Sequence, residues 1–208
     1  MKSLALLGLL LLVATRLCVA DSSPESICQN VALKIAVTEE QFHYNRYIDD
    51  AFTIGFTQGN PPTADFNTSI DMLMSKFCPD NAVWFAYQNG VPVFNATNFA
   101  GIKSLYTLFS QVLWRNFSRH MITNPIVTPY TLDHTQYAEF NGSINQLQIK
   151  QNPIVWAMSI GWYHNTWRQN HDGSLCMTRF EAWTTSDHTF PGAFGENFVL
   201  NAHQLGGW

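Results

Sequence analysis

Proton-transfer chemistry needs a group that gains and loses a proton near neutral pH, and histidine does so without a large environmental push. Of the seven histidines in the chain, His120 and His164 fall inside segments patterned as β-strand. By the two-residue period of a strand, His120 shares a face with Ile122 and Asn124. His164 shares one with Trp156, Met158, Ile160 and Trp162, a run expected to line an apolar cavity. The acids to set beside them are Asp49 and Asp50, adjacent on a helical segment. Neighbours on a helix lie about 100° apart, so only one of the two faces inward. Asp50 stands four residues after Arg46 and is expected to pair with it on the surface, which leaves Asp49 for the pocket. Glu139 and Glu181 lie in strands, where an exposed face is their default place. The catalytic set is therefore His120 as general acid/base, assisted by His164 and Asp49. Trp84, Trp156, Met158, Trp162 and Asn124 are expected to contact the substrate.

These residues must be positioned by elements of two kinds. Thr38 with Gln41 resembles a capping box, and Phe42, Ile48, Phe52 and Phe56 recur near helical spacing, which predicts a helix over 39–56. Gly59 to Pro62 break it. A second helix is predicted over 65–77, a short strand over 82–87, and a third helix over 98–112 capped by Thr97. From 117 the pattern changes to β-branched and aromatic runs separated by turn residues, which predicts strands near 117–128, 136–149, 154–168 and 175–185. His171-Asp172-Gly173 is the best hairpin signal. Helices first and a meander after make an α+β fold, with helices packed on one face of a strongly bent, mainly antiparallel sheet.

Composition narrows the setting. Lys2, the apolar run Leu4 to Val13 and a small-residue end at Ala20 read as a signal peptide over 1–20. No later apolar run is long enough for a membrane span. A leader is assigned to 21–38, the domain to 39–185 and a tail to 186–208. Without Lys2 and Arg16 the chain carries a net charge of −6. This acidic balance, with no basic cluster, excludes a nucleic-acid surface. Sequons at Asn67, Asn95, Asn116 and Asn141 suit a secreted glycoprotein. Cys28, Cys78 and Cys176 remain after cleavage; one disulfide is expected in an oxidising compartment, and Cys28 with Cys78 is preferred among three pairings. No Cys-X-X-Cys or His-X-X-X-His spacing suggests a metal site.

The order of elements resembles the SnoaL-like branch of the nuclear-transport-factor-2-like superfamily, which includes polyketide cyclases, scytalone dehydratase and ketosteroid isomerase. The resemblance is carried by Tyr47-Ile48-Asp49-Asp50-Ala51-Phe52, Asp80-Asn81-Ala82-Val83-Trp84, Arg119 to Pro125, and the hairpin from Trp167 to Phe180. It implies a cone-shaped α+β barrel with a deep apolar pocket, no metal and no organic cofactor, and a homodimer formed through the sheet. It places a pocket histidine at His120 and a tyrosine or acid at the pocket mouth, near Tyr47 and Asp49. The second strand histidine of the dehydratase pattern is missing, with Gln146 and Gln148 nearby instead. The strands hold Arg119, Arg168 and Arg179 but no aspartate, which disfavours epoxide hydrolysis and aspartate-based isomerisation.

Three functions are consistent with this pattern. The first is a cofactor-independent lyase, isomerase or cyclase acting on a hydrophobic metabolite such as a polyketide, terpenoid or alkaloid precursor. The second is a non-catalytic secreted carrier or effector holding a small ligand. The third, an oligomerisation module, predicts an apolar outer sheet face and a filled cone.

Overall fold

The computed structural model describes residues 23–58, 63–110, 117–151, 154–185 and 188–191. The expected signal peptide over 1–20, Asn116 and residues 192–208 lie outside the described residues.

The first helix, α1 (Pro24–Gln58), is longer than its apolar pattern suggests. The supposed leader from 24 to 38 is its first part, and Thr38 is no cap; its hydroxyl donates to the Lys34 carbonyl at 2.8 Å. Leu33, Val37, Gln41, Tyr44, Ile48 and Phe52 are buried, three or four residues apart, as one helical stripe requires. Phe42 is off that stripe and exposed. Gln41, Asn45 and Asp49 are buried polar residues on the same side, which disguises the stripe in the sequence. Gln41 is satisfied there, since its Oε1 accepts from Asn165 Nδ2 at 2.8 Å and Trp167 Nε1 at 3.3 Å. Two shorter helices follow. Thr63 caps α2 (Ala64–Met74) by accepting from the Phe66 N–H. Asn98, not Thr97, caps α3 (Phe99–Leu108) by accepting from the Gly101 N–H.

Seven strands form one sheet: β1 (Val83–Gln88), β2 (Val91–Ala96), β3 (Phe117–Leu132), β4 (Thr135–Gln151), β5 (Ile154–Gln169), β6 (Leu175–Thr184) and β7 (His188–Pro191). Their order is β2-β1-β6-β5-β4-β3, with β7 also paired to β5. Only β1 and β6 run parallel; the other pairs are antiparallel. Strands β2 and β7 are additions to the sequence-based expectation. Asn89-Gly90 and Asp133-His134 have positive φ at both positions, the requirement of a two-residue hairpin turn that follows the strand twist. Register shifts interrupt β1, β3 and β5; such bulges bend a strand and increase its twist. The sheet curls around α1, giving the expected α+β cone with helices against its concave side.

The cysteine pairing differs from the expected one. Cys78 is bonded to Cys176, and Cys28 is free and exposed near the start of α1. The cause is the chain after α2, which joins β6 in a parallel bridge between Phe77 and Met177. There the Cys78 N–H donates to the Met177 carbonyl at 2.9 Å, which sets the two cysteines side by side.

One glycine is fixed by close approach. A Cβ at Gly161 would lie 1.9 Å from the Trp183 carbonyl oxygen and 2.9 Å from Thr184 Cα. Backbone atoms cannot rotate away, so Gly161→Ala must force β5 from β6. It is expected to cost about 3 kcal/mol or more, read as a lower urea midpoint.

Candidate active site

The register of three strands builds a polar row inside the cone. His120 on β3 pairs with Gln146 on β4, which pairs with Ser159 on β5. All three line a cavity of about 440 Å³ whose remaining walls include Phe52, Trp84, Phe94, Tyr163 and Phe180. That volume suits a small organic molecule; ligand pockets run from about 300 to 1,000 Å³.

Asp49 reaches this row from α1. Its Oδ1 lies 2.6 Å from His120 Nδ1, and its Oδ2 accepts the His120 backbone N–H at 3.0 Å. The carboxylate thus holds both the ring and the strand beneath it. The side chains are only 3% and 7% exposed for His120 and Asp49. An acceptor on Nδ1 keeps a proton there and assigns exchange with a ligand to Nε2. Asp50 behaves as expected of a surface residue, 3.7 Å from Arg46. Partial burial raises its pKa, while Arg46 opposes the shift.

A second polar feature was not apparent in the sequence. The hydroxyls of Tyr44 on α1 and Tyr106 on α3 are 2.5 Å apart, and Trp84 Nε1–H donates to the Tyr106 oxygen at 2.8 Å. All three residues line the cavity. Burial pushes the Tyr44, Tyr106 and Tyr163 phenols well above their ordinary range, so they remain neutral hydrogen-bond donors at physiological pH. The only sequence signal was tyrosine at buried helical positions where phenylalanine would pack as well.

The raised phenols carry a pH prediction. Their folded pKa lies above the unfolded value of about 10, so their contribution to stability is complete below that pH and declines as pH rises towards the folded value. Tyrosinate absorbance from Tyr44, Tyr106 and Tyr163 should therefore appear only together with alkaline unfolding followed by circular dichroism.

Several expected ligand contacts lie elsewhere. On β5 the buried residues among those described are Ser159, Gly161, Tyr163, Asn165 and Trp167, so His164 and Trp162 occupy the opposite, outer face. Trp162 is 49% exposed. His164 sits 3.0 Å from Glu139 and 3.8 Å from Glu181. Period two was right, but its phase was inverted, because aromatic residues occupy both faces. The side chains of Trp156 and Met158 lie outside the described residues. Asn124 falls in the β3 bulge with φ of 53° and is exposed, since the irregularity breaks the alternation that tied it to His120. Tyr47 lies under the Lys76 ammonium, 5.4 Å from the ring centre, and is not among the cavity-lining residues. Glu181 is buried rather than exposed, held by Arg179 and by Trp183 Nε1. Trp84 lines the cavity as expected. Among the described residues no cluster of His, Cys, Asp or Glu is arranged to hold a metal ion, and no helix is long and apolar enough to cross a membrane.

No family model matches the sequence, and no curated protein sequence matches it. Solved structures do. A scytalone dehydratase-like protein from Novosphingobium aromaticivorans superposes with a TM-score of 0.56 at 16% identity, covering 77% of this chain and 89% of that one. LinA gives 0.55 at 13% identity, covering 78% and 92%. A dehydratase-like protein of the nuclear-transport-factor-2-like family from Streptomyces avermitilis gives 0.52 at 14%, covering 74% and 97%. Agreement across nearly the whole of each of these chains identifies the architecture: the chain has the nuclear-transport-factor-2-like fold.

Proposed function

We propose that the chain is a cofactor-independent enzyme of proton transfer, a lyase, isomerase or cyclase acting on a hydrophobic small molecule. The observation that carries this reading is the buried Asp49–His120 pair in the wall of an otherwise aromatic cavity. Burying a carboxylate and an imidazole costs desolvation free energy, and a carrier would hold the same ligand with apolar walls alone. An open cavity also disagrees with an oligomerisation module whose cone is filled.

In this reaction His120 takes a proton from the substrate through Nε2. Asp49 orients the ring and stabilises the imidazolium without itself being protonated. The Tyr44–Tyr106 pair donates to a substrate oxygen on which negative charge develops. In a dehydration the C–H electron pair becomes the new C=C bond, the C–O bond breaks, and the proton on His120 leaves with hydroxide as water. In an isomerisation the same proton returns to another carbon. Polyketide, terpenoid and alkaloid precursors have the size and polarity for the site. We also infer passage through the secretory lumen, which the leader pattern at 1–20 and the Cys78–Cys176 bond support.

The test is to purify the secreted protein, identify co-purifying small molecules by mass spectrometry, and incubate them with it in deuterium oxide. Conversion or deuterium uptake that depends on His120 is expected. A ligand recovered unchanged and unlabelled would make the protein a carrier.

A further inference from the structure

We propose that Asn95 and Asn141 carry N-linked glycans and that these sugars, rather than a second copy of the chain, cover the outer face of the sheet. Both asparagines begin sequons, Asn95-Ala96-Thr97 and Asn141-Gly142-Ser143, and both are exposed. The sheet register places them in one row, Asn95 on the edge strand β2 and Asn141 on β4, one strand in from the other edge. Asn95 on β2 pairs with Phe85 on β1, Phe85 with Glu181 on β6, Glu181 with His164 on β5, and His164 with Asn141 on β4. The two attachment points therefore bracket the outer face across five strands.

The neighbouring row of the same face, two residues along each strand, is aromatic. Tyr87, Trp183 and Trp162 stack across β1, β6 and β5, with ring centres 3.9 Å and 5.9 Å apart and planes within 11° of parallel. Trp162 lies opposite Ser143, hence diagonal to Asn141; diagonal cross-strand neighbours are about 7–8 Å apart, within reach of the first sugars. A pyranose offers a flat C–H face to such rings. Exposed aromatic surface of this kind, with Trp162 half exposed, calls for a cover.

A second copy fits this face less well. Packed sheets stand about 10 Å apart, which leaves no room for an oligosaccharide rooted at either end of the row. Face-to-face packing would also desolvate the His164, Glu139 and Arg179 side chains at its centre. Each attachment is a substitution at carbon. The asparagine amide nitrogen bonds to C1 of a lipid diphosphate oligosaccharide, the C1–O bond breaks, the lipid diphosphate leaves, and the amide gives up one proton.

The inference rests on the secretory route proposed above and is independent of the chemistry at His120. Its test is glycopeptide mass spectrometry and light scattering on the full chain secreted from eukaryotic cells. Sugar on both peptides and a monomeric mass are expected. Asn95→Gln with Asn141→Gln, and separately Thr97→Ala with Ser143→Ala, should double the mass in solution by baring the aromatic face. Enzymatic trimming of the folded wild-type protein provides the same readout should a variant fail to be secreted. An unmodified Asn95 or Asn141 peptide overturns the proposal, as does a dimer that retains both glycans or a bare face that stays monomeric. None of these results alters the expected loss of turnover on replacing His120.

Discussion

His120→Gln is expected to lower turnover by about a hundred- to ten-thousand-fold, the range that a positioned general acid/base contributes. Glutamine is preferable to alanine because its amide can still donate to Asp49. Alanine would leave a buried carboxylate without the imidazole, a change that costs about 3–5 kcal/mol in comparable pairs and confuses folding with chemistry. The loss should appear in kcat with KM nearly unchanged, since the aromatic walls that bind the ligand are untouched. Asp49→Asn should lower kcat as well, because an amide neither fixes the ring tautomer as firmly nor stabilises the imidazolium. Rapid-mixing turnover beside ligand affinity measured by calorimetry separates the two effects. Affinity that falls as far as turnover would show that the pair binds rather than reacts.

Removing the Cys78–Cys176 bond should have the largest effect on stability. It closes a loop with a sequence separation of 98 residues, for which the chain-entropy estimate is about 4.7 kcal/mol. Cys78→Ser, Cys176→Ser or both should lower the urea midpoint by a corresponding amount and make it insensitive to reductant. Cys28→Ser should change neither property, because Cys28 is unpaired and exposed. Had Cys28 been joined to Cys78, the two serine variants would be equivalent.

The sequence displayed the order of elements and one half of the candidate site clearly. The His120 strand was legible from its β-branched and aromatic run, and the Asp49 helix from Ile48 and Phe52 at helical spacing. The depth of α1 was not, since Gln41, Asn45 and Asp49 lie on its buried side and their partners are over a hundred residues away for Gln41. Strand β2 was hidden by Pro92 and Asn95, residues common in loops, which an edge strand tolerates. The β5 assignment inverted because hydrophobicity cannot select a phase when tryptophan stands on both sides of a sheet. Asn124 was lost to a bulge, which no period detects. The cysteine partner depends on a parallel bridge between distant segments, and spacing along the chain contains no trace of it. Tyr44 and Tyr106 look like core in any local window, and only the meeting of two helices turns them into a hydrogen-bonding pair.

The parallel pairing of β1 with β6 also governs how the chain must be assembled. During synthesis the β1–β2 hairpin leaves the ribosome early, whereas the strand that receives it is among the last to emerge. Until then its docking edge is unclaimed. Contacts between segments so remote in sequence are slow to form, and unpaired edges invite association with other chains. Maturation should therefore be late and concerted, with cysteine oxidation following, not guiding, the arrival of the final hairpin.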